Sequence, residues 1–202
     1  MGGSLERTGR IEEAIASYER AGEIFRESGE ERRLGHNLTQ LALILARKHE
    51  YEEARALLLE ALAMLERKGS SRSLAYTLYM IGGVHGLMGD NGEAARYASR
   101  ALDETRMLGL NELLGYQLVL VAHLVLERAP EQAARLIGAA QESFRRADAG
   151  IQDAEAARVA EMEATLRRRL GDELFAEHVG DGALLSLEDA VPQAKQSLAA
   201  GA

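Results

Sequence analysis

Cysteine and tryptophan are both missing from this 202-residue chain, proline occurs twice, and aromatic residues make up 4% of it. Without cysteine there can be no disulfide, thiolate metal site or cysteine nucleophile. That composition suits a reducing cytoplasm, the expected location. No apolar run approaches the ~20 residues that span a bilayer, so no membrane association is expected. The start, Met1-Gly2-Gly3-Ser4, lacks the basic and apolar regions of a signal peptide and reads as a chain cut out of something longer. Acidic residues outnumber basic ones, with a net charge of −8. Direct nucleic-acid binding rests on clustered Lys and Arg and is not expected here. The run Arg167-Arg168-Arg169 reads as the solvated side of a helix.

Catalytic motifs are missing as well. There is no GxxxxGK phosphate loop, no HExxH and no GxSxG. The histidines His36, His49, His85, His123 and His178 include no pair at helical three- or four-residue spacing. Gly82-Gly83-Val84-His85-Gly86 superficially resembles a dinucleotide loop, but no strand precedes it. No catalytic residue, metal or cofactor is therefore expected, and the chain reads as non-enzymatic.

What the sequence does contain is a repeat. Ala54 has counterparts forty residues away on both sides, Ala14 and Ala94, and Ala61 has Ala21 and Ala101. Leu38 recurs as Leu78 and Leu118, Leu41 as Ile81 and Val121, Ala42 as Gly82 and Ala122, and Gly69 as Gly29 and Gly109. A fixed period of this length marks a stack of helical units. Apolar residues at three- and four-residue steps, such as Ile11, Ala14, Ile15, Tyr18, Ala21 and Phe25, predict amphipathic helices within each unit.

In chain order, a half repeat occupies 5–29, followed by full repeats at 30–69, 70–109 and 110–150, together an array over 5–150. Gly29, Gly69 and Gly109 suit the left-handed residue that closes a helix. Asn111 is read as an N-cap and Pro130 as a first helical residue. A helical cap is expected over 151–191, with a loop at 180–182 and a capping box at Ser186–Asp189. The tail, 192–202, is expected to fray.

The small and large positions, Leu38, Leu41-Ala42, Leu45, Ala54, Leu58 and Ala61, resemble the tetratricopeptide repeat, with a forty- rather than thirty-four-residue period. The resemblance implies an all-α fold of antiparallel helical hairpins wound into an α-α superhelix with a C-terminal helical cap. It also implies that first helices line a concave groove. Transferred to this register, the groove positions are His36, Thr39 and Leu43; Tyr76, Tyr79 and Gly83; and Tyr116, Val119, His123 and Leu126. Tyrosine suits recognition because it offers apolar area and a hydroxyl at small entropic cost. The expected partner is a protein or peptide, or else a small-molecule effector. The half repeat's open N-terminal edge could pair in a homodimer.

The units are also similar to the sensor arrays of bacterial LuxR-type and signal-transduction ATPase regulators. Residues 134–140 (ARLIGAA), 170–175 (LGDELF) and 182–190 (GALLSLEDA) resemble the closing segment of such proteins. The expected role is thus the C-terminal part of a regulator, the alternative being a free-standing adaptor.

Overall fold

The computed structural model describes residues 10–148, 151 and 153–199. Among these there are ten helices and no strand, so the fold is all-α. The helices are α1 (Ile11–Glu27), α2 (Glu31–Arg47), α3 (Tyr51–Glu66), α4 (Arg72–Leu87) and α5 (Asn91–Leu108). They continue with α6 (Asn111–Val125), α7 (Pro130–Arg146), α8 (Asp153–Leu170), α9 (Asp172–Ala183) and α10 (Leu187–Ala199). The chain forms two compact units, one ending at Asp90 and the other beginning at Asn91.

In the first unit α2 packs on both α1 and α3, and α4 packs on α3 and α2. The repeat's alanines explain the spacing. Ala14, Ala54 and Ala61 are fully buried, where a methyl group lets neighbouring helix backbones draw close. Leu34, Leu38 and Ala61 form a core against which Phe25, Leu57 and Met64 pack. Polar groups carried inside are paired: Asn37 Nδ2 donates to the Tyr18 carbonyl at 2.9 Å, tying α2 to α1. Gly29 (φ 70°) and Gly69 (φ 82°) close their helices in the left-handed conformation expected of them. His49 takes the same conformation (φ 64°) at the place that Gly89 (φ 80°) holds one period later.

In the second unit α6 and α7 form a hairpin, α9 lies on α7, α8 touches both α7 and α9, and α10 packs on α5, α6 and α7. Pro130 opens α7, where its missing N–H breaks no helical bond. Three expectations change here. Asn111 is the first helical residue of α6 and not its cap; the cap position is Leu110, with no side-chain bond. The stretch 180–182 is helical, inside α9, because α9 needs a residue without a side chain where it crosses α7. A Cβ at Gly182 would run into the Arg135 carbonyl, and one at Gly138 into the Val179 carbonyl. The frayed tail is also corrected: α10 continues through Pro192 to Ala199, while residues 200–202 lie outside the described ones. Val191, Ala194 and Leu198 are buried. Lys195 pairs with Asp103 at 2.6 Å, and Arg128 Nη2 donates to the Ser197 and Leu198 carbonyls at the end of the helix. The capping box opens α10 as read, with Asp189 N–H donating to Ser186 Oγ at 3.2 Å.

Candidate interaction surface

The residues singled out on the first unit lie on α2 and α4, whose adjacency is set by a buried pair of hydroxyls. Thr39 Oγ1 and Thr77 Oγ1 are 2.8 Å apart. Each oxygen also lies within hydrogen-bond distance of a carbonyl of its own helix, Gly35 at 2.9 Å and Ser73 at 2.8 Å; with one proton apiece, one hydroxyl donates to the other, which donates to its own helix. Thr39 is 1% exposed and is therefore not a surface contact, contrary to its register position. It faces α4 because a threonine hydroxyl inside a protein needs a partner, and Thr77 supplies one.

Around this pair the other positions remain reachable. His36 is exposed, and Leu43, Tyr76, Tyr79 and Gly83 are half-buried. The Tyr76 and Tyr79 rings lie 6.0 Å apart between centroids with planes tilted by 40°, a separation typical of interacting aromatics. Four residues beyond Tyr79, a Cβ built on Gly83 would meet nothing within 4 Å. Open space thus borders an aromatic pair, with a histidine on the neighbouring helix. Gly82, by contrast, is buried, as its small-residue position in the repeat requires.

On the second unit, Tyr116 is half-buried and meets Phe144 edge-on, with centroids 4.8 Å apart and planes at 77°. His123 is exposed on the same helix. Partial desolvation, reinforced by the Arg158 guanidinium, holds its imidazole below the usual histidine pKa, while Glu161 acts in the opposite sense. Val119 and Leu126 are buried, at 1% and 7% exposure, and are corrected as surface contacts. Val119 forms part of a cavity wall between α6, α7 and α8. The Leu126 carbonyl accepts from Arg169 at 3.0 Å, a bond that ties the end of α8 to the chain leaving α6.

The cavity behind Val119 was not foreseen. Val119, a repeat position, lines it, but the remaining walls come from α7 and from α8, which lies beyond the last repeat. The concentration of small residues in α7 (Ala133, Ala134, Gly138, Ala139, Ala140) was the one available signal. Among the described residues, no group of three or more His, Asp or Glu could hold a metal ion, and no helix is long and apolar enough to cross a membrane.

Helical hairpins with alanine-lined seams define the class of helical-repeat proteins, and comparison with known families agrees. The sequence matches the tetratricopeptide repeat family over residues 1–67 and again over 34–103. The chain belongs to the tetratricopeptide repeat family. Repeats of this family generally mediate protein–protein interactions and are generally non-catalytic. No curated protein matches the chain.

Proposed function

We propose that the first unit binds a peptide or a segment of a partner protein along the shared face of α2 and α4. The observation that carries this reading is the Tyr76–Tyr79 pair beside the open space over Gly83. An inserted side chain could occupy that space, with the tyrosine rings as apolar walls and His36 and Leu43 supplying contacts from α2. Within the second unit, described by itself, Tyr116 and His123 on α6 are contact residues of that unit's own. Peptides selected for binding from a displayed library test the reading. Tyr76→Ala/Tyr79→Ala should weaken the selected peptides roughly tenfold or more, as loss of an aromatic anchor does. Unchanged affinity in a variant of unaltered helicity would reject it.

The larger context we propose is the C-terminal sensor region of a bacterial transcriptional or signal-transduction regulator acting in the cytoplasm. The resemblance of residues 134–140 and 182–190 to the closing segment of such regulators supports this. Gly138 and Gly182 fall inside those two stretches, and they are the residues at which α7 and α9 need bare backbone. The coding sequence immediately upstream provides the check. An in-frame ATPase region agrees with the proposal, and a true translational start at Met1 opposes it.

A further inference from the structure

The cavity bounded by α6, α7 and α8 has a volume of about 460 Å³. This lies within the range of small-molecule sites, roughly 300–1,000 Å³. Its walls are apolar, with Val119, Ile137, Phe144 and Val159 among them. The space persists because its largest wall cannot swing inward. The Phe144 ring is held edge-on by Tyr116, and it rests so close over Gly115 that a Cβ there would come within 2.7 Å of it. On the opposite wall, Ala156 and Ala160 of α8 are too short to fill the gap. Gln141 Nε2 donates to Glu163 Oε1 at 2.8 Å, a bond that holds α7 and α8 at a fixed separation.

The polar groups at the rim are unevenly satisfied. Arg145 also lines the cavity; its guanidinium is turned to Glu142 through Nε at 2.6 Å and Nη2 at 2.7 Å, a carboxylate that Arg146 Nε also meets at 2.7 Å. Glu163 is met by the neutral Gln141 amide, and it enters no ion pair among the described residues. The rim therefore presents a carboxylate with no cation in direct contact, at the edge of an apolar chamber, while the Arg145 guanidinium on the same lining is turned to Glu142.

We infer that this cavity binds a small apolar amine, its ring or branched hydrocarbon seated against Phe144 and Val159 and its protonated nitrogen on Glu163. Seated on Glu163, a cationic head complements the carboxylate, whereas an anionic head placed there would be repelled by it. The cavity lies within the second unit and its lining includes no residue of α2 or α4, so its failure would leave the peptide-binding reading untouched.

Three probes that share one body separate the possibilities: 3-phenylpropylamine, 3-phenylpropanol and 3-phenylpropionate. They are titrated into the full chain and followed by amide chemical shifts. The amine should bind saturably, with shifts centred on α7 and α8, and at least tenfold more tightly than the carboxylate. Ala160→Phe, which fills the cavity from an exposed position on α8, should abolish saturable binding while helicity is kept. Glu163→Gln should leave the alcohol's affinity nearly unchanged and remove most of the amine's advantage over it. Absence of saturable binding by the amine would overturn the inference. So would equal affinity for amine and carboxylate, or wild-type amine binding by a folded Ala160→Phe variant.

Discussion

Alanine at position 182 should damage the protein, and alanine at position 180 should improve it, although both sit on α9 only two residues apart. At Gly182 an added Cβ would overlap the Arg135 carbonyl oxygen and come within 2.7 Å of its carbon and 2.9 Å of its Cα. These are backbone atoms, so no rotamer change can clear the space. α9 must retreat by something on the order of 1 Å and lose contacts along its crossing with α7. Overpacking of this kind costs up to about 3 kcal/mol. Alanine returns ~1 kcal/mol through its better helix propensity. The net expectation for Gly182→Ala is a loss of about 2 kcal/mol, or roughly 4–8 °C in Tm for a chain of this size. A Cβ at Gly180 meets nothing within 4 Å, so Gly180→Ala keeps only the propensity gain of ~1 kcal/mol. Urea unfolding followed by circular dichroism measures the difference between the two, and hydrogen exchange of the α9 amides localises it. Gly182→Ala as stable as Gly180→Ala would refute the close crossing of α7 and α9.

Other expectations follow from single contacts. Thr39→Val and Thr77→Val should each cost about 1 kcal/mol, and a double-mutant cycle in urea should show that they are coupled, because each hydroxyl partners the other. Asp148 is an exposed non-glycine residue at φ 49°, so Asp148→Gly should raise the unfolding free energy measured in urea by about 0.3–1 kcal/mol. Hydrogen bonds from Arg145, and then from Arg146, hold the Glu142 carboxyl at a pKa of about 2 against an ordinary 4.5. Its folded-state pKa is depressed, so its contribution to stability is present above pH 4.5 and is lost as pH falls from there toward 2. Carboxyl NMR titration should find Glu142 still ionised at pH 3. Burial acts oppositely on Glu155, raising its pKa against the weaker pull of Arg158. Its ionisation therefore opposes folding as pH rises through the folded-state value. Glu155→Gln should stabilise the protein at pH 7, and that gain should shrink as pH falls through the raised folded-state value toward 4.5 and be gone below it.

Much of the helical framework was legible because its requirements repeat. An alanine seam every forty residues, with a glycine at the end of each unit, leaves few alternatives to stacked hairpins, and Ala54, Ala61, Gly29 and Gly69 occupy the places that pattern assigns. The same reasoning failed where a residue answers to one particular neighbour. Thr39 shares a register with His36 and Leu43, yet it is buried because Thr77 happens to lie opposite. Gly180 and Gly182 together read as a loop, since glycine disfavours helix interiors by ~1 kcal/mol each. The compensation lies in a helix crossing far away in sequence, at Gly138 of α7. Pro192 suggested a frayed end, but Val191, Ala194 and Leu198 already carried the helical spacing that buries α10. The cavity beside Phe144 was hidden for a related reason. It is defined by what three helices fail to fill, and a one-dimensional pattern records residues but not gaps.

Site-specific photo-crosslinking tests the interaction surface most directly. A photoreactive phenylalanine replaces Tyr79, and in a second variant it replaces Arg55, on α3. Each is mixed with a peptide selected for binding to the wild-type chain. The peptide should become covalently attached at position 79, attachment at position 55 should be weak, and excess unlabelled peptide should suppress the first. Attachment at position 55 with none at position 79 would contradict this and move recognition away from the α2–α4 face.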